Sequence, residues 1–287
     1  MIASIPQSRA YQRTYNAYIA LFFLLLAAPL VVVAIFSFND SLFPSLPWGG
    51  FTLDWFFAET PKRTGLFHDE SILESIWISV IVAVAVAVLS VLVALSNAFL
   101  FERKEFPGKQ LLYSLMLVPL VIPGVILGIS ILAFGSNIAN GVEDNWGIDL
   151  EFLRPGLTMV ILGQFAFIST ICTLIISARL RKFDIQLEEA ALNLGANHWD
   201  VLWTITLPWL KPALVGAAIV AFLMSFENFN TTLVLVGSDA PLTINMFDRM
   251  REGSTPVLNA VSLLLMVASG GLALLSIFVQ REQPGKQ

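Results

Sequence analysis

A carboxylate, Glu227, stands deep inside an apolar stretch that begins near Pro212, about 22 Å along it at a helical rise of ~1.5 Å per residue. An ionisable side chain at that depth in a bilayer costs ~2.5 to 3.5 kcal/mol on insertion scales, so it must face a polar cavity or a buried partner. At roughly 100° per residue, Asn230 and Thr231 share its helical face, and Ser225, Asn228 and Thr232 occupy the adjoining one. Such an arc suits either a solute path or an interhelical hydrogen-bond network, and Gln164 in another apolar stretch offers the same two roles. Catalytic sets are missing. No Gly-x4-Gly-Lys-Ser/Thr phosphate loop occurs, His68 and His198 lack a second ligand at metal spacing, and no Ser, His and Asp converge. Cys172 is the only cysteine and reads as inert packing, without a disulfide. No catalytic residue, metal site, bound cofactor or nucleic-acid partner is expected of this chain.

A second stretch, Glu188 to Leu210, is mostly polar and lies between two long apolar runs. Gln186 to Leu194 are good helix formers, and Gly195, followed by Ala196, can take the left-handed conformation that ends a helix. Asn197 and Asp200 have capping-box spacing for a second short helix, which Pro208 should stop.

These stretches must be positioned by membrane helices. Of 287 residues, 56% are hydrophobic and only 13% charged, whereas soluble domains approach a quarter charged. Six apolar segments reach membrane length: 15–37, 73–100, 111–135, 156–178, 212–236 and 258–280. With the N-terminus inside, eleven of the 16 Lys and Arg residues, Lys286 among them, fall on the cytoplasmic side. Lys62, Arg63, Arg154, Arg249 and Arg251 fall outside, and this bias places both termini and the Glu189 loop in the cytoplasm. The expected organisation is a tail (1–14), a six-helix domain (15–280) with a cytoplasmic loop at 179–211, and a second tail (281–287). The first apolar run is too long for a secretory signal core. In the outer segment, Trp48, Trp55, Phe56 and Phe57 suit interfacial anchoring or partner contact. Pro119, Pro123, Gly124, Gly128 and Gly135 interrupt the third segment, which fits either a cavity-lining broken helix or a small-residue packing face.

Glu189, Ala190 and Ala191, then Gly195, then Ile205, Leu207 and Pro208 resemble the Glu-Ala-Ala, Gly, Ile-x-Leu-Pro loop of the membrane subunits of bacterial ATP-binding-cassette importers. The resemblance implies an all-α membrane protein with the type I importer permease fold, in which Glu188, Glu189, Ala190, Ala191, Gly195, Ala196, Ile205, Leu207 and Pro208 form a cytoplasmic coupling helix docked on a separate ATPase. Phe51 to Trp55, Val118 to Ser130 and Pro241 to Asn259 are similar to the polyamine branch of these permeases. Ser225 to Phe229 resembles that branch's Ser-x-Asp-Asp/Glu cluster, with Glu227 in the first acidic place and Asn228 in the second, while Gly124 stands where many members carry an acid. The implied solute path comprises Ser225, Glu227, Asn228, Asn230, Thr231 and Gln164. The implied location is the bacterial inner membrane. Implied partners are an ATPase dimer holding ATP and Mg, a second homologous permease forming a heterodimer or, alternatively, a homodimer, a periplasmic binding protein, and lipid. A polyamine such as spermidine or putrescine is the expected solute. Phosphonate, opine or amino-acid-like solutes, and a self-sufficient secondary carrier, are the competing readings.

Overall fold

The computed structural model describes residues 8–44, 46–61, 63–253 and 255–281. Lys62, Lys286 and the terminal stretches 1–7 and 282–287 lie outside the described residues. The helices are α1 (Arg9–Phe36), α2 (Asp54–Phe57), α3 (Glu70–Arg103), α4 (Lys109–Val121), α5 (Gly124–Trp146), α6 (Leu157–Leu180), α7 (Gln186–Asn193), α8 (His198–Val201), α9 (Leu207–Phe226), α10 (Thr232–Leu235), α11 (Leu242–Glu252) and α12 (Val257–Arg281). A two-stranded antiparallel ribbon, β1 (Glu59–Thr60) with β2 (Arg63–Thr64), follows α2. Among the described residues six helices are long and apolar enough to cross a membrane. The expected fold class therefore holds, although the third and fifth runs are bounded differently.

The first unit comprises the chain up to Glu70 and Arg249–Val267. Ser8 caps α1 by accepting the Tyr11 amide, and Pro29 is carried within the helix. Asn39 organises the segment that follows: its side chain accepts the Gly49 amide at 2.8 Å, and its carbonyl accepts the Trp55 indole at 2.8 Å. Arg63 closes this knot by pairing with Asp40 (2.6 Å) and Asp54 (2.9 Å). Trp55 is thus buried core rather than an interfacial anchor. Arg249 grips Asp69 through both guanidinium nitrogens at 2.6 and 2.8 Å.

The second unit, Ser71–Asp248 with Ala268 onward, is built around α6. Val82, Val86, Ile168, Cys172, Ile176, Ala217, Ala221 and Leu235 form one buried cluster from α3, α6, α9 and α10. The third apolar run does not cross as one helix over 111–135. It breaks at Ile122–Pro123, because proline lacks an amide and drives the preceding residue out of helical conformation (Ile122 φ −76°, ψ 128°). α5 then extends to Trp146, taking up residues expected to be outer loop.

The fifth run also departs from expectation at both ends. Pro208 does not stop the helix begun at His198. Leu202–Thr206 widen into a π-turn closed by the Leu207 amide on the Leu202 carbonyl, and the wider turn relieves the clash between the proline ring and the preceding turn. Pro208 and Pro212 then lie inside one helix that runs to Phe226. There it ends, so 212–236 is not a single span. The shared helical face drawn from Glu227 to Thr231 does not exist.

Candidate functional site

In the polar stretch, local chemistry dictates geometry. Asp184 accepts the Gln186 amide at 3.0 Å to start α7, and Glu188 and Glu189 fall in its first turn, where acidic groups suit the helix dipole. Gly195 ends the helix at φ +93°, with the Ala196 amide on the Ala191 carbonyl (3.1 Å) and the Gly195 amide on the Leu192 carbonyl (3.0 Å), a Schellman arrangement. Asn197 and Asp200 make the reciprocal capping box that opens α8. Nothing crowds the Gly195 position, so Gly195→Ala meets only backbone strain. We expect it to cost about 1 kcal/mol, read as faster amide exchange at Gly195 and Ala196 with the helices elsewhere unchanged.

The expected coupling residues divide by direction. Glu189, Ala190, Gly195 and Pro208 are exposed, while Ala191, Ala196, Ile205 and Leu207 are half-buried. Glu188 turns inward, accepting from Arg103 and from Thr206. Nearby, Arg181 donates to Glu102 at 2.9 Å, a hydrogen bond that raises the guanidinium pKa above its ordinary value. Sequence reasoning passed over the most exposed apolar side chains of this stretch: Leu194 is 89% exposed, Trp199 70% and Trp203 65%. Their signal was present, since large apolar residues stand out in a run too polar to enter a membrane.

The residues expected along a solute path divide in the same way. Glu227 caps the C-terminal end of α9, is exposed, and accepts the Ser269 hydroxyl of α12 at 2.8 Å. Asn230 is also exposed. Ser225, Gln164, Thr231 and Thr232 are buried. Ser225 donates to the Gln164 carbonyl oxygen, whose amide nitrogen donates to Thr232 Oγ1 at 2.8 Å. Asn228 Oδ1 accepts the Thr231 and Thr232 amides at 3.3 Å and Thr232 Oγ1 at 3.1 Å, so it caps α10. Gln164 and Asn228 therefore hold the break in place, and Glu227 with Asn230 presents polar groups outward from it.

The two helix interruptions meet. A Cβ at Gly124, in the first turn of α5, would lie 3.1 Å from Asn230 Cβ and 3.2 Å from Thr231 Oγ1, and one at Gly128 would lie 3.1 Å from the Thr231 carbonyl. Gly124 and Gly128 thus act as a packing face, and that face supports the non-helical segment 227–231. Among the described residues no group of three His, Cys, Asp or Glu side chains could hold a metal ion.

Comparison with known proteins agrees with this architecture. Residues 98–282 match the family described as binding-protein-dependent transport system inner membrane component. The Escherichia coli (strain K12) putrescine transport system permease protein PotI is 28% identical over 86% of this chain and 84% of its own length. The Haemophilus influenzae spermidine/putrescine transport system permease protein PotC is 27% identical over 93% of this chain and 96% of its own. The crystal structure of a bacterial alginate ABC transporter in complex with an alginate pentasaccharide-bound periplasmic protein contains a chain of the same fold, with a TM-score of 0.73 at 15% identity over 94% of this chain and 93% of that one.

Proposed function

Since the chain belongs to the binding-protein-dependent transport system inner membrane components, a family of multi-pass permease subunits whose ATP is hydrolysed elsewhere, we propose that it forms half of the import path for a polyamine such as putrescine or spermidine. The observation that carries this reading is Glu227: a carboxylate released from its helix at the break, exposed beside Asn230 and flanked in sequence by Phe226 and Phe229. Carboxylates among aromatic rings suit aliphatic ammonium groups. The names of the putrescine and spermidine/putrescine relatives support the same class.

In this reading the chain sits in the inner membrane with both termini in the cytoplasm, pairs with a second homologous permease as a heterodimer, and receives solute from a periplasmic binding protein. The α7 and α8 segment docks on an ATPase dimer that holds ATP and Mg. Closure of that dimer presses the Gln186 to Thr206 segments together and opens the path outward, and a solute released there meets Glu227. Hydrolysis resets the path inward. A second reading, a solute with one cationic group such as an amino-acid-like compound, is favoured by a single observation: Glu227 is the one carboxylate between Ser225 and Thr232, and the side-chain amide of Asn228 beside it is engaged with Thr232.

The test is ATP hydrolysis by the whole assembly in lipid with its binding protein, titrated with putrescine. Glu227→Gln should raise the half-stimulating putrescine concentration by roughly 30-fold, equivalent to ~2 kcal/mol for an unpaired charge. Equal titrations in both proteins would remove Glu227 from the path. Stimulation by amino acids and not by polyamines would select the second reading.

A further inference from the structure

The structure carries one inference that rests on the ATPase-docking reading of α7 and deepens it. Glu188 stands beside the Glu-Ala-Ala triplet but turns away from the exposed face. Its Oε1 accepts from Arg103 Nη2, at the end of α3, at 3.2 Å and from Thr206 Oγ1, in the π-turn that leads into α9, at 2.7 Å. The side chains of Arg103 and Glu188 are only 17% and 21% exposed, so water screens the pair weakly. The Arg103 guanidinium also lies 5.4 Å from the Phe183 ring, which meets Trp209 edge-on at 5.9 Å, and Arg179 lies 4.1 Å over that indole. The ends of α3 and α6 and the start of α9 thus converge on one cluster.

α7 itself has no buried residue. It is not seated by an apolar core, so the attachment through Glu188 counts for more than a surface ion pair ordinarily does. We propose that Glu188 is a positioning residue: it clamps α7 to the ends of α3 and α9 so that movement of the docking segment reaches both membrane helices together. Thr206 gives the clamp its second arm. Its hydroxyl is buried and donates to Glu188, whereas Thr204, two residues earlier, donates back to the Asp200 carbonyl within its own helix.

The experiment uses the full assembly in nanodiscs and needs no solute. Spin labels on cysteines at Lys104 and Gln186, both exposed, report the distance between the end of α3 and the start of α7. We expect one narrow distribution in the otherwise unaltered assembly, kept when ATP and vanadate trap the closed ATPase. Glu188→Ala should at least double its width, Arg103→Met should do the same, and the double variant should add nothing further. A distribution in Glu188→Ala as narrow as that of the parent overturns the proposal. So does loss of the ATPase subunit from the Glu188→Ala assembly, which would make Glu188 part of the docking face. Failure of the docking reading itself looks different: the unaltered chain would not retain the ATPase subunit. With putrescine as the imported probe, the clamp variants should spend roughly 2- to 30-fold more ATP per molecule imported, the span associated with residues along a coupling route.

Discussion

Replacing Leu194 and Trp199 with glutamate together should strip the ATPase subunit from the purified assembly. Both side chains are almost bare, at 89% and 70% exposed, and they sit on either side of the Gly195 turn, where α7 ends and α8 begins. A buried tryptophan contributes ~150 to 250 Å² of contact surface, and tryptophans at the centre of interfaces commonly cost about 2 kcal/mol or more on truncation. A carboxylate in the same place must also be desolvated without a partner. We expect affinity for the ATPase to fall by roughly 100-fold or more. The variant's membrane helices should keep their melting behaviour, since neither side chain belongs to the buried cluster. Affinity capture in detergent, with the ATPase counted by native mass spectrometry, measures the loss. Retention of the ATPase at the parental level would reject α7 and α8 as its docking site.

Gly163→Val should disable the assembly from the opposite direction, by disturbing the core beneath the break between α9 and α10. A Cβ at Gly163 would lie 2.3 Å from Leu235 Cδ1 and 3.3 Å from Thr231 Cγ2. Leu235 is fully buried in the core cluster, so its side chain can yield only by shifting against packed neighbours. Over-packing of this kind costs about 1 to 3 kcal/mol, and here the yielding element is α10, which Gln164 and Asn228 hold in place. Displacing it shifts residues 227–231 and the carboxylate they carry. The expected result is a lower thermal midpoint together with loss of solute-dependent ATP hydrolysis. Gly270→Ala and Gly271→Ala serve as controls, because nothing lies within 4 Å of a Cβ at either position, and both should behave as the parent. A normal midpoint in Gly163→Val would mean that α6 and α10 separate easily.

Which parts of this architecture the sequence disclosed follows from where the determining interactions lie. Apolar length and the Gly195, Asn197 and Asp200 signals act within a few residues, so the six long helices and the α7 to α8 turn were legible. Pro123 was visible as an interruption of the third run, but not as a break in it, because proline is also tolerated within membrane helices. The break after Phe226 was not legible: Glu227 to Thr231 contains neither glycine nor proline. The helix ends there because Asn228 caps the next turn and Ser225 and Thr232 meet Gln164, 61 and 68 residues away in sequence. Pro208 misled in the other direction, since a π-turn accommodates a residue that ordinarily ends a helix. Glu188 looked like its neighbour Glu189 until Arg103, 85 positions earlier, was found beside it.

The uninterrupted run from His198 to Phe226 also has a mechanical consequence. It spans 29 residues, about 43 Å at ~1.5 Å per residue, and no loop separates the tryptophans at one end from Glu227 at the other. It is a lever arm. With its fulcrum near the His198 end, a tilt of about 5° would sweep the far tip through roughly 4 Å, given that length. That stroke is comparable to the width of an aliphatic chain. A small rocking of the base would thus move Glu227 and its neighbours at the tip by that distance, without unwinding the helix between.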